Sequence, residues 1–227
     1  WDFGVSLPEF LGDIDGDGLD EACVASADGS LYAVDHDGRA MWKLFEEKPP
    51  LYQVVIHRGA RETAIFAGGV EKILYKIAPG GRVLGAVPGE GIVRNIGAGA
   101  VLERGADRLV VVRRRAFKPG TIEVYEPGTL KLLTGSTRAI GKDSFEMLVR
   151  DTNSDGIEEI ILGFRTGAAA YDATGAEVAR FEARRGRKAP DTYEMMLLAG
   201  FGSDPARGLL WLSASWLISY VVGGANR

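Results

Sequence analysis

A single cysteine and two histidines in 227 residues narrow the chemistry before any motif is considered. Cys23 has no second thiol, so no internal disulfide can staple the fold, and its apolar setting reads as inert core. Zinc is not expected with so few thiol and imidazole donors. His36 falls in a turn, His57 at a strand end, and no Ser-His-Asp grouping stands out, which leaves nucleophilic catalysis without support. Long apolar runs are also missing. The longest, 209–222, is broken by Ser213, Ser215 and Ser219, falls short of the roughly 20 residues a membrane helix needs, and reads as two strands. Neither sign of charge dominates, and the net charge of -4 offers nucleic acid no general attraction. The clusters Arg113-Arg114-Arg115 and Arg184-Arg185-Gly186-Arg187-Lys188 read as solvated surface. Stretches with helical spacing and capping signals are scarce. The chain opens at Trp1 with no initiator Met and no charged-then-apolar leader, so a processed product or a trimmed domain is expected.

Against these absences stand 31 glycines and a hydrophobic content of 46%, ample for a core built from many short strands joined by turns. The most informative segment is an acidic loop that occurs twice, as Asp13-Ile14-Asp15-Gly16-Asp17-Gly18-Leu19-Asp20-Glu21 and as Asp151-Thr152-Asn153-Ser154-Asp155-Gly156-Ile157-Glu158-Glu159. So many carboxylates in one turn repel each other unless a hard cation neutralises them, and the loops therefore imply Ca2+ in a structural role. The expected ligands are Asp13, Asp15, Asp17, the Leu19 carbonyl and Glu21, and in the second copy Asp151, Asn153, Asp155, the Ile157 carbonyl and Glu159. Asn153 removes one charge from the second site, while Asp20 and Glu158 are expected to point away. An EF-hand is excluded, because its twelfth position, a Glu, is here Val24 or Leu162. Apolar runs follow each loop and read as strands, which places the loops inside β-hairpins. The pattern resembles the FG-GAP (VCBS-like) repeats of integrin α-subunit β-propellers and of many secreted bacterial and archaeal proteins. That resemblance implies a calcium-binding, all-β propeller.

A second recurrence is independent of the acidic loops. A hairpin with a turn glycine appears at Gly38, Gly81, Gly128, Gly175 and Gly224, with spacings of 43, 47, 47 and 49 residues. A period of about 40 to 50 residues with alternating strands is the mark of propeller blades. Five four-stranded blades are expected, over about 4–48, 49–90, 91–139, 140–187 and 188–227. Trp1-Asp2-Phe3 closes the last blade, making 1–227 one domain. Trp42, four positions after Gly38, supports this phase, because the same position after Gly224 falls on Trp1 once the ring is closed. The segment Ala33 to Trp42 is also similar to the docking repeat of pyrroloquinoline-quinone dehydrogenase propellers, one residue shorter. This implies blades that pack through an aromatic and carries no implication of a quinone.

An aromatic followed by Gln or Glu marks the start of three inner strands: Tyr52-Gln53, Phe145-Glu146 and Tyr193-Glu194. These six are the candidate ligand-binding residues, at the opposite face from the calcium loops. Rings beside polar groups could stack on sugar faces, as a lectin requires. The expectation from the sequence is a non-catalytic, calcium-stabilised extracellular or cell-surface propeller for adhesion, surface assembly or recognition of a protein or glycan. The alternatives are a polysaccharide-active enzyme with Glu146 and Glu194 as paired carboxylates, and a self-assembling subunit of a filament or surface layer. Neither nucleic acid nor membrane insertion is expected.

Overall fold

The computed structural model describes residues 11–26, 28–46, 48–60, 62–115, 119–136, 140, 146–164 and 167–182, and the strand segments 193–198, 208–213 and 216–221. Among these residues the secondary structure is entirely β, and no helix is long and apolar enough to cross a membrane. The first sheet holds β1 (Leu11–Gly12), β2 (Glu21–Ala25), β3 (Leu31–Val34) and β4 (Ala40–Leu44). The second holds β5 (Leu51–Arg58), β6 (Thr63–Gly69), β7 (Ile73–Ile77) and β8 (Val83–Pro88), and the third β9 (Ile92–Gly99), β10 (Arg108–Arg114), β11 (Thr121–Tyr125) and β12 (Leu132–Gly135). The fourth holds β13 (Met147–Arg150), β14 (Glu159–Phe164), β15 (Gly167–Tyr171) and β16 (Glu177–Glu182). Three further strands, β17 (Tyr193–Leu198), β18 (Gly208–Ser213) and β19 (Trp216–Val221), form another antiparallel sheet. Every sheet is an up-and-down meander in chain order. The expected closing strand at Trp1-Asp2-Phe3 and the basic segment 184–188 lie outside the described residues.

The sheets stack face to face because their middle strands are apolar on both sides. In β6, Ile65 and Ala67 face the first sheet, where, with Val54 of the neighbouring β5, they join Cys23, Leu31 and Ala33. The alternate residues Ala64 and Phe66 face the third sheet and meet Val93, Ile96, Leu109 and Val111. β10 repeats the device one sheet along: Leu109 and Val111 look back, while Val110 and Val112 look forward to Met147, Ile160 and Leu162. Successive side chains of a strand point to opposite faces, so a continuous apolar run is what a sheet sandwiched between two neighbours demands. The first strands of consecutive sheets, β5, β9 and β13, lie against one another and form the inner rim.

Outer strands lock onto the next sheet. Trp42 on β4 donates its indole N–H to the carbonyl of Pro79 at 2.6 Å, and its ring covers Gly81 in the β7–β8 hairpin. Gly81 has φ +82°, and a Cβ there would lie 2.9 Å from the indole ring, so the position needs glycine twice over.

One reading of the sequence is corrected. Arg113 is not surface: it is fully buried, its Nε donating to Glu123 Oε2 at 2.6 Å and its Nη1 to the carbonyls of Lys72 and Gly91. Tyr125 donates to the same Glu123 oxygen at 2.7 Å. Burial, and then the neighbouring carboxylate, push the Tyr125 hydroxyl above its ordinary pKa. A guanidinium survives here because its charge is paired and most of its donors are used.

Candidate functional site

Both acidic loops connect the first and second strands of their sheets, and they fold by the same local rules. Asp13 accepts from the amides of Gly16 (2.6 Å) and Gly18 (3.1 Å), Asp15 from Asp17, and Asp17 from Leu19. Asp151 likewise accepts from Ser154 (2.6 Å) and Gly156 (2.8 Å), Asn153 from Asp155, and Asp155 from Ile157. Burial works to raise the Asp151 carboxyl, but the amides of Gly156, Ser154, Asn153 and Asp155 outweigh it and hold it below the usual range. Asp20 and Glu158 do turn outward: Asp20 pairs with Arg58 of the second sheet at 3.0 Å, and Glu158 accepts from the Ala100 amide at 2.6 Å.

The loops differ at their closing acid. Glu159 spends both oxygens inside its loop: Oε2 accepts from the Thr152 amide and hydroxyl, and Oε1 accepts from the Asn153 side-chain amide at 2.9 Å. In the first loop Ile14 supplies only its amide, 2.8 Å from Glu21 Oε2, and Asp15 cannot donate. Glu21 Oε1 is therefore buried without a hydrogen-bond partner, in a residue with no solvent exposure. An orphaned carboxylate oxygen of this kind is costly and fits a bound cation. Carboxylate oxygens of Asp13, Asp15 and Asp17 also lie within 4.8 Å of one another. The residues of the first loop thus fit a divalent ion, whereas the second loop satisfies itself with the Asn153 amide in the place of a charge.

A cleft of about 600 Å3 opens on the same end of the strands, walled by the β5–β6 turn, the β9–β10 connection and the β11–β12 hairpin. Its charged groups are His57, Arg58, Glu62, Asp107, Arg108 and Glu126. Lys76 reaches up beneath the cleft to Glu62 at 2.5 Å and to the Gly128 carbonyl at 2.7 Å. Arg108 pairs with Glu103 and, at 3.4 Å, with Glu126. His57 is largely buried, its Nε2 is 3.7 Å from Asp107 and lacks a hydrogen-bond partner. The Asp20–Arg58 pair joins this cleft to the first acidic loop.

Among the six residues expected to bind ligand, the described ones, Tyr52, Gln53 and Glu146, do not line this cleft. Tyr52 is half-buried at the far end of β5, with the Arg94 guanidinium 5.6 Å from its ring centre, and Gln53 is buried. Glu146 is half-buried, and its carbonyl accepts from the Gly163 amide at 3.0 Å. Phe145 and the side chains of Tyr193 and Glu194 lie outside the described residues. Sequence reasoning missed the cleft, whose walls come from segments 57–64, 105–108 and 126–129 that carry no shared motif.

A family model described as the lambda-carrageenase β-propeller domain matches residues 9–96. Two curated relatives, both lambda-carrageenases, come from Pseudoalteromonas sp and Pseudoalteromonas carrageenovora. Each is 29% identical over 173 residues, which is 66% of this chain and 18% of the relative. The chain therefore spans less than a fifth of the length of the curated relatives it matches. Among solved structures, BBS1N in complex with ARL6DN aligns with a TM-score of 0.67 at 11% identity, over 94% of this chain and 65% of that one. Saccharomyces cerevisiae Sqt1 aligns with a TM-score of 0.66 at 11% identity, over 95% and 59%. These two show the fold alone. The relatives overturn the expectation of a non-catalytic protein and favour the polysaccharide-active alternative, because both are named as enzymes and the matching domain is described as part of one. The chain is an all-β protein of propeller type, similar in sequence to the β-propeller domain of lambda-carrageenases.

Proposed function

We propose that this chain is the propeller unit of a polysaccharide-active protein whose ligand is a carrageenan-type glycan. The single observation that carries the reading is the match of 173 residues to two proteins named lambda-carrageenase. The cleft supports it, since a concave site that brings fixed polar groups such as Arg58 and Arg108 together can orient a ligand by hydrogen bonds. In this reading residues 1–227 form one ring of five blades, completed by the strand at 1–3. The first acidic loop is a calcium site of FG-GAP type, held by Asp13, Asp15, Asp17, Glu21 and the Leu19 carbonyl. The protein works outside the cell or at its surface, where millimolar calcium fills a weak site.

Affinity electrophoresis through gels containing carrageenan tests the assignment. The chain is expected to be retarded by carrageenan and not by a neutral glucan, and Arg58→Ala is expected to weaken retention about tenfold, roughly 1.4 kcal/mol. Unretarded migration would overturn the proposal.

A further inference from the structure

We infer that Asp17, Glu21 and His36 form a mixed nitrogen and oxygen metal site that takes a borderline divalent cation of the zinc type. One ligand atom from each of the three lies within 4.8 Å of the others. Glu21 anchors the group from the first position of β2, where Oε1 is buried and unpartnered while Oε2 is fixed by the Ile14 amide. His36 arrives from a different element, the β3–β4 turn, which is held in shape by the Gly38 amide on the Asp35 carbonyl at 2.9 Å and the Arg39 amide on Asp35 Oδ1 at 2.7 Å. Its Nδ1 faces Asp17 Oδ2 at 3.8 Å, and its Nε2 faces Asp37 Oδ1 at 3.8 Å. A second carboxylate opposite a ligating imidazole is the arrangement that orients such a ring. Zinc bonds of about 2.0–2.2 Å require the exposed Asp17 and His36 to swing inward onto the fixed Glu21.

The sequence argued against zinc because thiols and imidazoles are few, but two carboxylates can supply what they lack. The chain also carries its own control. In the fourth sheet the residue at the turn position of His36 is Ala173, and the Asn153 amide already occupies Glu159 Oε1. The second loop offers neither the nitrogen nor the free oxygen, so one zinc per chain is expected. The site shares Asp17 and Glu21 with the proposed calcium ligands, so the two ions compete. The inference is independent of any glycan.

Equilibrium dialysis of the metal-free chain against zinc, with the bound metal counted, tests it. One tight zinc per chain is expected, and His36→Ala is expected to weaken it at least tenfold while leaving calcium affinity within about twofold. His36 is exposed, and circular dichroism is expected to show the variant folded as the parent; Asp17→Asn should reduce the affinity for both ions. Zinc binding that is unchanged in His36→Ala, or no zinc bound by the folded parent, overturns the site.

Discussion

At the scale of single residues, Asn153 and Asp15 show how one atom decides what a loop needs. They occupy the same position in two loops of almost identical backbone, and only the amide can donate to the closing glutamate. Asn153→Asp removes that donor and leaves Glu159 Oε1 as bare as Glu21 Oε1. In the absence of divalent ions this substitution is expected to cost about 1–3 kcal/mol. Urea titrations with and without calcium provide the check, since added calcium should restore most of the loss in the variant while moving the second loop of the parent little. Equal calcium responses would show that the Asn153 contact has no such role.

At the scale of elements, β10 is the instructive strand. Its run Leu109 to Val112 alternates between two apolar interfaces, and the buried Arg113 follows directly in the same strand. Arg113→Ala strands Glu123 and is expected to cost about 3–5 kcal/mol, against much less for Arg114→Ala at the exposed neighbouring position. Thermal or denaturant unfolding of the two variants separates them, and similar midpoints would contradict the burial. The strand was readable in the sequence because apolar periodicity is local. The buried arginine was not, since its carbonyl partners Gly91 and Lys72 lie 22 and 41 residues away. The acidic loops were legible for the same local reason, as glycine and aspartate spacing dictates their turns. The cleft was not, because it exists only where three connections from two sheets meet. Its constituents looked like ordinary charged loops until strand pairing set them side by side.

At the scale of the whole molecule, cation binding to the folded state alone raises stability by mass action, by about 2.7 kcal/mol when the free ion is a hundred times its dissociation constant. Chelation is accordingly expected to lower the melting temperature, and calcium to restore it; identical melts with and without EDTA would remove a structural ion from the account. Among the described residues the apolar interior is divided: one cluster lies between the first and second sheets, another between the second and third, and a third between the third and fourth. Along these four sheets, mechanical coupling therefore passes from each sheet to its flanking partner, as between beads on a string. A defect introduced at one junction should loosen that junction first, and hydrogen exchange would register it as a local opening well before the distant sheets respond.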